Sequence, residues 1–186
     1  MTDARSRLLD AALPLVLERG PHAVTLAEIA ASAQVPVGDA AVLFATPEAL
    51  ANELYRSWKG ELARAILGEF PIAAEPREQF RVFWYRACDF GRQLPHVTAF
   101  LRRASHASWL DEQSRTLEDQ VHGLLVGALA RWRAERRVRD ESPELLGGLV
   151  LGAYDGVFES CRRGYFVFTD EVAASSERMI WDAIRG

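Results

Sequence analysis

Apolar residues return every three or four positions along nearly the whole chain, and the rhythm breaks at proline, glycine and short polar clusters. This period predicts an all-α protein of about nine helices. The first runs over about 3–19 and stops at Gly20-Pro21, with Pro14 inside it removing one backbone hydrogen bond and predicting a kink. The second begins at "TLAE", where Thr25 and Glu28 can satisfy each other's free amides, and ends near Ser32. The third covers about 36–43 behind Pro36 and leaves through Phe44. The fourth opens at "TPEAL", with Thr46 as N-cap and Pro47 in the first turn. Leu50, Leu54, Trp58, Leu62 and Ile66 then follow at four-residue intervals along one face.

"GEFPIAAEP", residues 68–76, reads as a linker. Beyond it, Phe80, Phe83, Trp84, Ala87, Cys88 and Gly91 form the stripe of a fifth helix, and Pro95 starts a sixth with Val97, Phe100, Leu101 and Ala104 inward. A seventh, about 110–137, is expected to bury Leu117, Val121, Leu124, Leu125, Ala128 and Trp132. "SPELL" at 142–146 opens the eighth, and the ninth runs from Thr169 to Ile184. "YFVF", 165–168, has strand-like composition but no partner strand, and is expected to be an apolar connector tucked against the bundle.

Composition narrows the function. With 49% hydrophobic and 26% charged residues in 186, the chain can bury a real core, and its net charge of -4 gives no global pull towards polyanions. Cys88 and Cys161 lie far apart within apolar helical patterns and read as reduced thiols. Acidic Asp3 and Asp10 interrupt what a secretion signal would need, and "LLGGLVLGAY", 145–154, is about half the roughly 20 residues that span a bilayer. A cytoplasmic protein without membrane contact is expected. His22, His96, His106 and His122 lack short metal-ligand spacing, and neither a phosphate loop nor a nucleophile elbow is present. No metal, cofactor or catalytic constellation is therefore expected, and the chain does not read as an enzyme.

The series Thr25, Ile29, Ala30, Ala33, Val35, Gly38, Phe44, Glu48 and Leu50, within "TLAEIAASAQVPVGDAAVLFATPEAL", resembles the N-terminal signature of TetR-family transcriptional regulators. "RSRLLDAALPLVLERG" is similar to that family's first helix, and "FLRRASHASWLDEQS", "PELLGGLVLGAYDGVFESCRRG" and "WDAIRG" resemble its variable body. The resemblance implies a helix-turn-helix head over 1–46, whose third helix lies in the major groove, and a ligand-binding and dimerisation body over 47–186. It also implies a homodimeric repressor whose affinity for double-stranded DNA is switched by a small ligand. Thr25, Gln34, Val37, Gly38 and Asp39 are the candidate DNA-contacting residues.

The head departs from the family in its chemistry. Gln34 stands where the family usually has glycine, Pro36 where it has a hydroxyl N-cap, and Asp39, Ala40, Ala41, Leu43 and Pro47 where it often has threonine, leucine, tyrosine, histidine and lysine. From residue 20 to 55 there is no Lys or Arg, against Glu28, Asp39, Glu48 and Glu53. Cations able to reach a DNA backbone are confined to Arg5, Arg7, Arg19, Arg56 and Lys59. Each phosphate neutralised adds about 0.9 to the salt slope, so weak binding with a shallow slope is expected. A protein of the same fold that has lost autonomous DNA binding, and serves as a small-molecule, lipid or protein-partner module, is the alternative.

In the body, Trp58, Phe83, Trp84, Cys88, Phe100, His106, Trp109, His122, Tyr154 and Phe158 are candidates to line a pocket for an apolar or aromatic ligand, since such sites combine apolar walls with a few polar tips, to which Cys161 would add. For any one of them, core packing is the competing reading. Gly148, Gly152 and Gly156, with Met179, Ile180, Trp181 and Ile184, are the candidate dimer surface, a smooth strip that a second helix can approach closely. "RWRAERRVR", 131–139, reads as a solvated helix end, with contact to an anionic ligand, membrane or nucleic acid as the alternative.

Overall fold

The computed structural model describes residues 2–186, with side chains from Asp3 onward. Among the described residues there are nine α-helices and no β-strand: α1 (Thr2–Arg19), α2 (Leu26–Ser32), α3 (Val37–Leu43), α4 (Pro47–Leu67), α5 (Pro76–Gln93), α6 (Pro95–Ala104), α7 (Glu112–Ala134), α8 (Pro143–Arg162) and α9 (Asp170–Ile184). The helices form two compact units. One holds the chain up to Glu61 together with Leu94–Glu118, and the other holds Leu62–Gln93 with Asp119–Gly186. Of the three boundaries between them, two fall inside helices, within α4 and within α7, and the third falls between α5 and α6.

In the first unit, Leu8, Ala12 and Val16 of α1, Ile29 and Ala30 of α2, Ala40 of α3, Phe44, and Leu50, Leu54 and Tyr55 of α4 are buried with Phe100 and Leu101 of α6. Each large side chain so buried contributes roughly 1.5–3 kcal/mol. α1 ends as its sequence demands: Gly20 adopts φ 78°, a left-handed conformation costly for any residue with a Cβ, and donates to Val16 O at 2.8 Å. Thr25 and Glu28 form both halves of the capping box that opens α2. Thr46 caps α4 by accepting from Ala49 N at 3.1 Å.

Asn52, buried on α4, holds the turn before α7. Its Nδ2 donates to Glu48 O and to Trp109 O, both at 2.9 Å, while its Oδ1 accepts from Asp111 N at 2.9 Å. Asp111 caps α7 by accepting from Ser114 N at 2.8 Å. This cap places the start of α7 at Glu112 rather than 110; the helix ends at Ala134 rather than 137, just before Arg136 turns to φ 57°.

The second unit is built on the stripe of α5. Phe80, Trp84 and Cys88 pack with Leu129 and Trp132 of α7, Val138, Leu146 and Val150 of α8, and Ala173 and Ile184 of α9. Phe80 lies 5.5 Å from Trp181 between ring centroids, and Trp84 donates its indole N–H to Ser176 Oγ at 3.2 Å. Arg77 and Glu177 form a two-point ion pair, with Glu177 itself 2% exposed. α8 closes onto α5 at Gly91, where a Cβ would lie 2.5 Å from Phe158 Cζ and 2.7 Å from the Tyr154 hydroxyl. Tyr154 in turn donates to Ala87 O at 3.0 Å.

Two expectations are corrected. The 165–168 connector is not tucked away: Tyr165 and Val167 are 73% and 80% exposed, and Phe168 alone packs inward, stacked on Phe158 at 5.0 Å. One aromatic anchor suffices for a short connector. Leu124 is 52% exposed, whereas Leu129 takes the fully buried place on α7.

Candidate nucleic-acid interface and ligand cavity

α3 is a short helix held from below by Ala40 and Phe44, both buried, and from before by Val35. Its outward residues are Val37, 56% exposed, Val42, 82% exposed, and the exposed Gly38, Asp39 and Ala41. The turn into it passes through Gln34, which adopts φ 53° and leaves its side chain exposed. Glycine would fit this left-handed turn without strain, which gives the departure from the family at this position a conformational cost of about 1–2 kcal/mol.

Each of the five cations expected to reach a DNA backbone is already engaged. Arg5 binds both carboxylate oxygens of Glu53 and sits 5.0 Å over the Phe44 ring. Arg7 lies 3.4 Å from Asp3, Arg19 donates to Glu28 at 2.9 Å, and Arg56 donates to Asp111 at 2.8 Å. Lys59 pairs with Glu118 at 2.6 Å, and the same carboxylate accepts from the buried Tyr55 hydroxyl. Burial, then the bond to Glu118, pushes the Tyr55 phenol up, so it remains a neutral donor. The Thr25 amide, the Arg19 guanidinium and the Thr25 hydroxyl hold the Glu28 carboxyl down to about 2. His22 Nδ1 lies 2.9 Å from Glu48 Oε1.

The second unit contains a cavity of about 340 Å³. Ala63, Ile66 and Leu67 of α4, Phe70 and Ile72 of the linker, Phe83 of α5, and Val121, Leu124, Leu125, Ala128 and Trp132 of α7 make its apolar wall. Gln79 and Arg131 are its polar members. A smaller cleft of about 100 Å³ lies in the first unit, between α1 and α6, with Phe100, Arg103 and Trp109 in its wall. Arg103 donates to Leu17 O there.

A family profile described as bacterial regulatory proteins of the tetR family matches residues 8–54, and one described as a tetracyclin repressor-like C-terminal domain matches residues 57–186. The chain belongs to the TetR family of transcriptional regulators. This TetR-family protein is similar to the HTH-type transcriptional regulator BetI of Rhizobium meliloti (strain 1021), with 31% identity over 156 residues, 79% of this chain and 76% of the relative. Its fold is similar to that of a TetR-family transcription regulator from Marinobacter aquaeolei VT8, with TM-score 0.88, 20% identity, and 99% and 96% of the two chains covered. A TetR-family transcriptional regulator from Haemophilus influenzae Rd matches with TM-score 0.78 and 15% identity, covering 100% of this chain and 98% of its own. Family membership assigns the chain to regulation of transcription rather than to catalysis.

Within this TetR-family frame the candidate residues separate. Thr25 is exposed but its hydroxyl is used as the N-cap of α2; Gln34, Val37, Gly38 and Asp39 all lie on the exposed side of the motif. Of the pocket candidates, Phe83 lines the large cavity, while Phe100 and Trp109 line the small cleft. Trp84 and Cys88 are core residues, and burial pushes the Cys88 thiol up to about 12, which keeps it protonated. Tyr154 and Phe158 pack against Gly91, Trp58 is half-buried, and Cys161 is half-buried with its thiol also raised by burial. His106 and His122 do not share the inward stripes: both are exposed, because each falls on the polar side of its helix or turn.

On α8, Gly148, Gly152 and Gly156 face open space, flanked by Leu145 and Leu149 at 53% and 50% exposure. Met179 is 64% exposed and Ile180 half-buried. Ile184 is corrected to the core, fully buried within its own chain, and Trp181 turns inward against Phe80 and, at 6.4 Å, Trp132. α9 spends these side chains on its own unit. Sequence reasoning missed most of the cavity wall, whose linker members, Phe70 and Ile72, carry no periodicity to mark them. No single described helix is long and apolar enough to cross a membrane.

Proposed function

We propose that this TetR-family regulator acts in the cytoplasm as a homodimeric repressor, reading double-stranded DNA through α3 and releasing it when a small apolar or aromatic molecule occupies the body. Residues 1–46 serve as the reading head and 47–186 as the ligand-binding and dimerising body. The observation that carries the reading is the pairing of an intact, capped helix-turn-helix, with α3 outward, and an apolar cavity in the body. Val37 and Gly38 offer close, methyl-type contact to base edges, and Asp39 can accept from a cytosine amino group. Gly148, Gly152 and Gly156 with Leu145, Leu149 and Met179 support dimerisation through α8 and α9.

Because the flanking cations are held by carboxylates, electrostatics contributes little, and specificity rests on shape and base edges. Fluorescence anisotropy of the purified protein with DNA from its own promoter region, across 50–300 mM salt, tests this. The expected result is sequence-selective binding with a log–log salt slope of at most about 3, equivalent to roughly three phosphates. Equal affinity for promoter and scrambled DNA at low salt overturns the DNA-reading function. A monomer by light scattering at the concentrations used overturns the dimer.

A further inference from the structure

We propose that Arg131 and Gln79 form an anion-recognising end to the large cavity, and that its ligand is a small carboxylate with an apolar tail. The inference rests on the reading of this cavity as the effector site and names the effector's class. The Gln79 amide is fixed from one side: its Nε2 donates to Ile72 O at 2.9 Å and to Ala74 O at 2.6 Å. That leaves its Oε1 as the acceptor that receives Arg131 Nη2 at 2.9 Å. Gln79 is 3% exposed, so its orientation is set by the fold rather than by solvent.

The contrast with the neighbouring arginines is informative. Arg133 lies 3.4 Å from Asp140 and Arg137 lies 3.2 Å from Glu75, whereas Arg139 has a neutral partner, Ala183 O at 2.7 Å, but is not in the cavity wall. Among the described residues Arg131 has a neutral amide as its hydrogen-bond partner and no carboxylate in ion-pair range. A guanidinium carries five N–H donors in a planar fork matched to a carboxylate. Gln79 therefore orients Arg131 without neutralising it.

The rest of the wall is apolar, so a ligand must bring a hydrocarbon or aromatic body with one charged end. Arg131 is itself exposed, so it stands at the mouth of the cavity, where it attracts an anionic end, repels a cation and gives a neutral apolar ligand nothing. The cavity, about 340 Å³, falls within the roughly 300–1,000 Å³ of small-ligand sites, and a medium-chain carboxylate such as nonanoate is a suitable probe.

Isothermal titration calorimetry of the full-length protein with nonanoate and with nonan-1-ol, at pH 7.5, tests the inference. Nonanoate is expected to bind at least tenfold tighter than the alcohol. Arg131→Gln should weaken nonanoate about tenfold or more while leaving the alcohol within twofold, and retained alcohol binding shows that the variant is folded. Arg131→Lys, which keeps the charge without the fork, should lose part of the preference. Equal affinity for acid and alcohol, or an unchanged acid affinity in Arg131→Gln, overturns the carboxylate inference while leaving the cavity as a site for neutral compounds. Failure of both probes to bind the unaltered protein overturns the effector-site reading as well.

Discussion

The flanks of the reading helix and the wall of the cavity treat positive charge in opposite ways. Around α3, Arg5, Arg7, Arg19, Arg56 and Lys59 each lie against a carboxylate, so the cations nearest the motif stabilise its own fold. In the cavity wall, Arg131 is held by the uncharged Gln79 rather than by a carboxylate. The residue types are similar; the partner decides what each can do for a ligand. Counting basic residues near a motif therefore overstates its attraction for DNA, and a basic run that looks like a solvated helix end can contain a single arginine aimed at chemistry.

The largest effect that would sharpen this contrast is structural. Asn52→Ala removes three hydrogen bonds and leaves Asp111 N and Trp109 O without this partner. A loss of about 2–4 kcal/mol in urea denaturation is expected, with ligand binding by the other unit retained in native buffer. An unchanged midpoint would mean that the turn before α7 is held by other contacts. Next, Asp39→Lys places a free cation on α3, which has none of its own. It should raise DNA affinity on the order of tenfold near 0.1 M salt and steepen the salt slope by about 0.9. No change in slope would place α3 away from phosphate.

A smaller gain is expected from Gln34→Gly. Relief of the left-handed backbone, less the extra freedom of glycine in the unfolded chain, should stabilise by about 0.5–1 kcal/mol in thermal melts. The smallest effect concerns Glu28. Its folded carboxyl titrates below its ordinary value of 4.5, so its contribution to stability is complete above that pH and is lost as pH falls towards about 2. Melting temperatures of the native protein and Glu28→Gln should converge over that interval. Parallel curves would show that the carboxylate does not carry the cap.

The helices and their caps were legible because they are local: Thr25 with Glu28, Thr46 before Pro47, and Ser142, which accepts from Leu145 N at 3.1 Å, are three-residue grammars. The stripe of α5 was legible for the same reason. The pairing of flanking cations was not, since Arg5 meets Glu53 and Lys59 meets Glu118 across dozens of residues. The exposed positions of α3 followed from the motif, but the cavity wall did not. Phe100 and Phe83 look alike in sequence, yet they belong to different units, and only the path of the linker brings Phe70 and Ile72 opposite α7.

Gly91 has a reach beyond its own contact. Tyr154 and Phe158, which press on it, are two residues removed from Gly152 and Gly156, hence nearly opposite them around α8. The missing Cβ thus acts as a spacer of zero thickness, and its width is passed through α8 to the bare outer strip. Alanine there would shift that strip outward or force Phe158 from its rotamer. An assembly defect could then arise from a residue sealed in the interior, far from any surface where one would think to look.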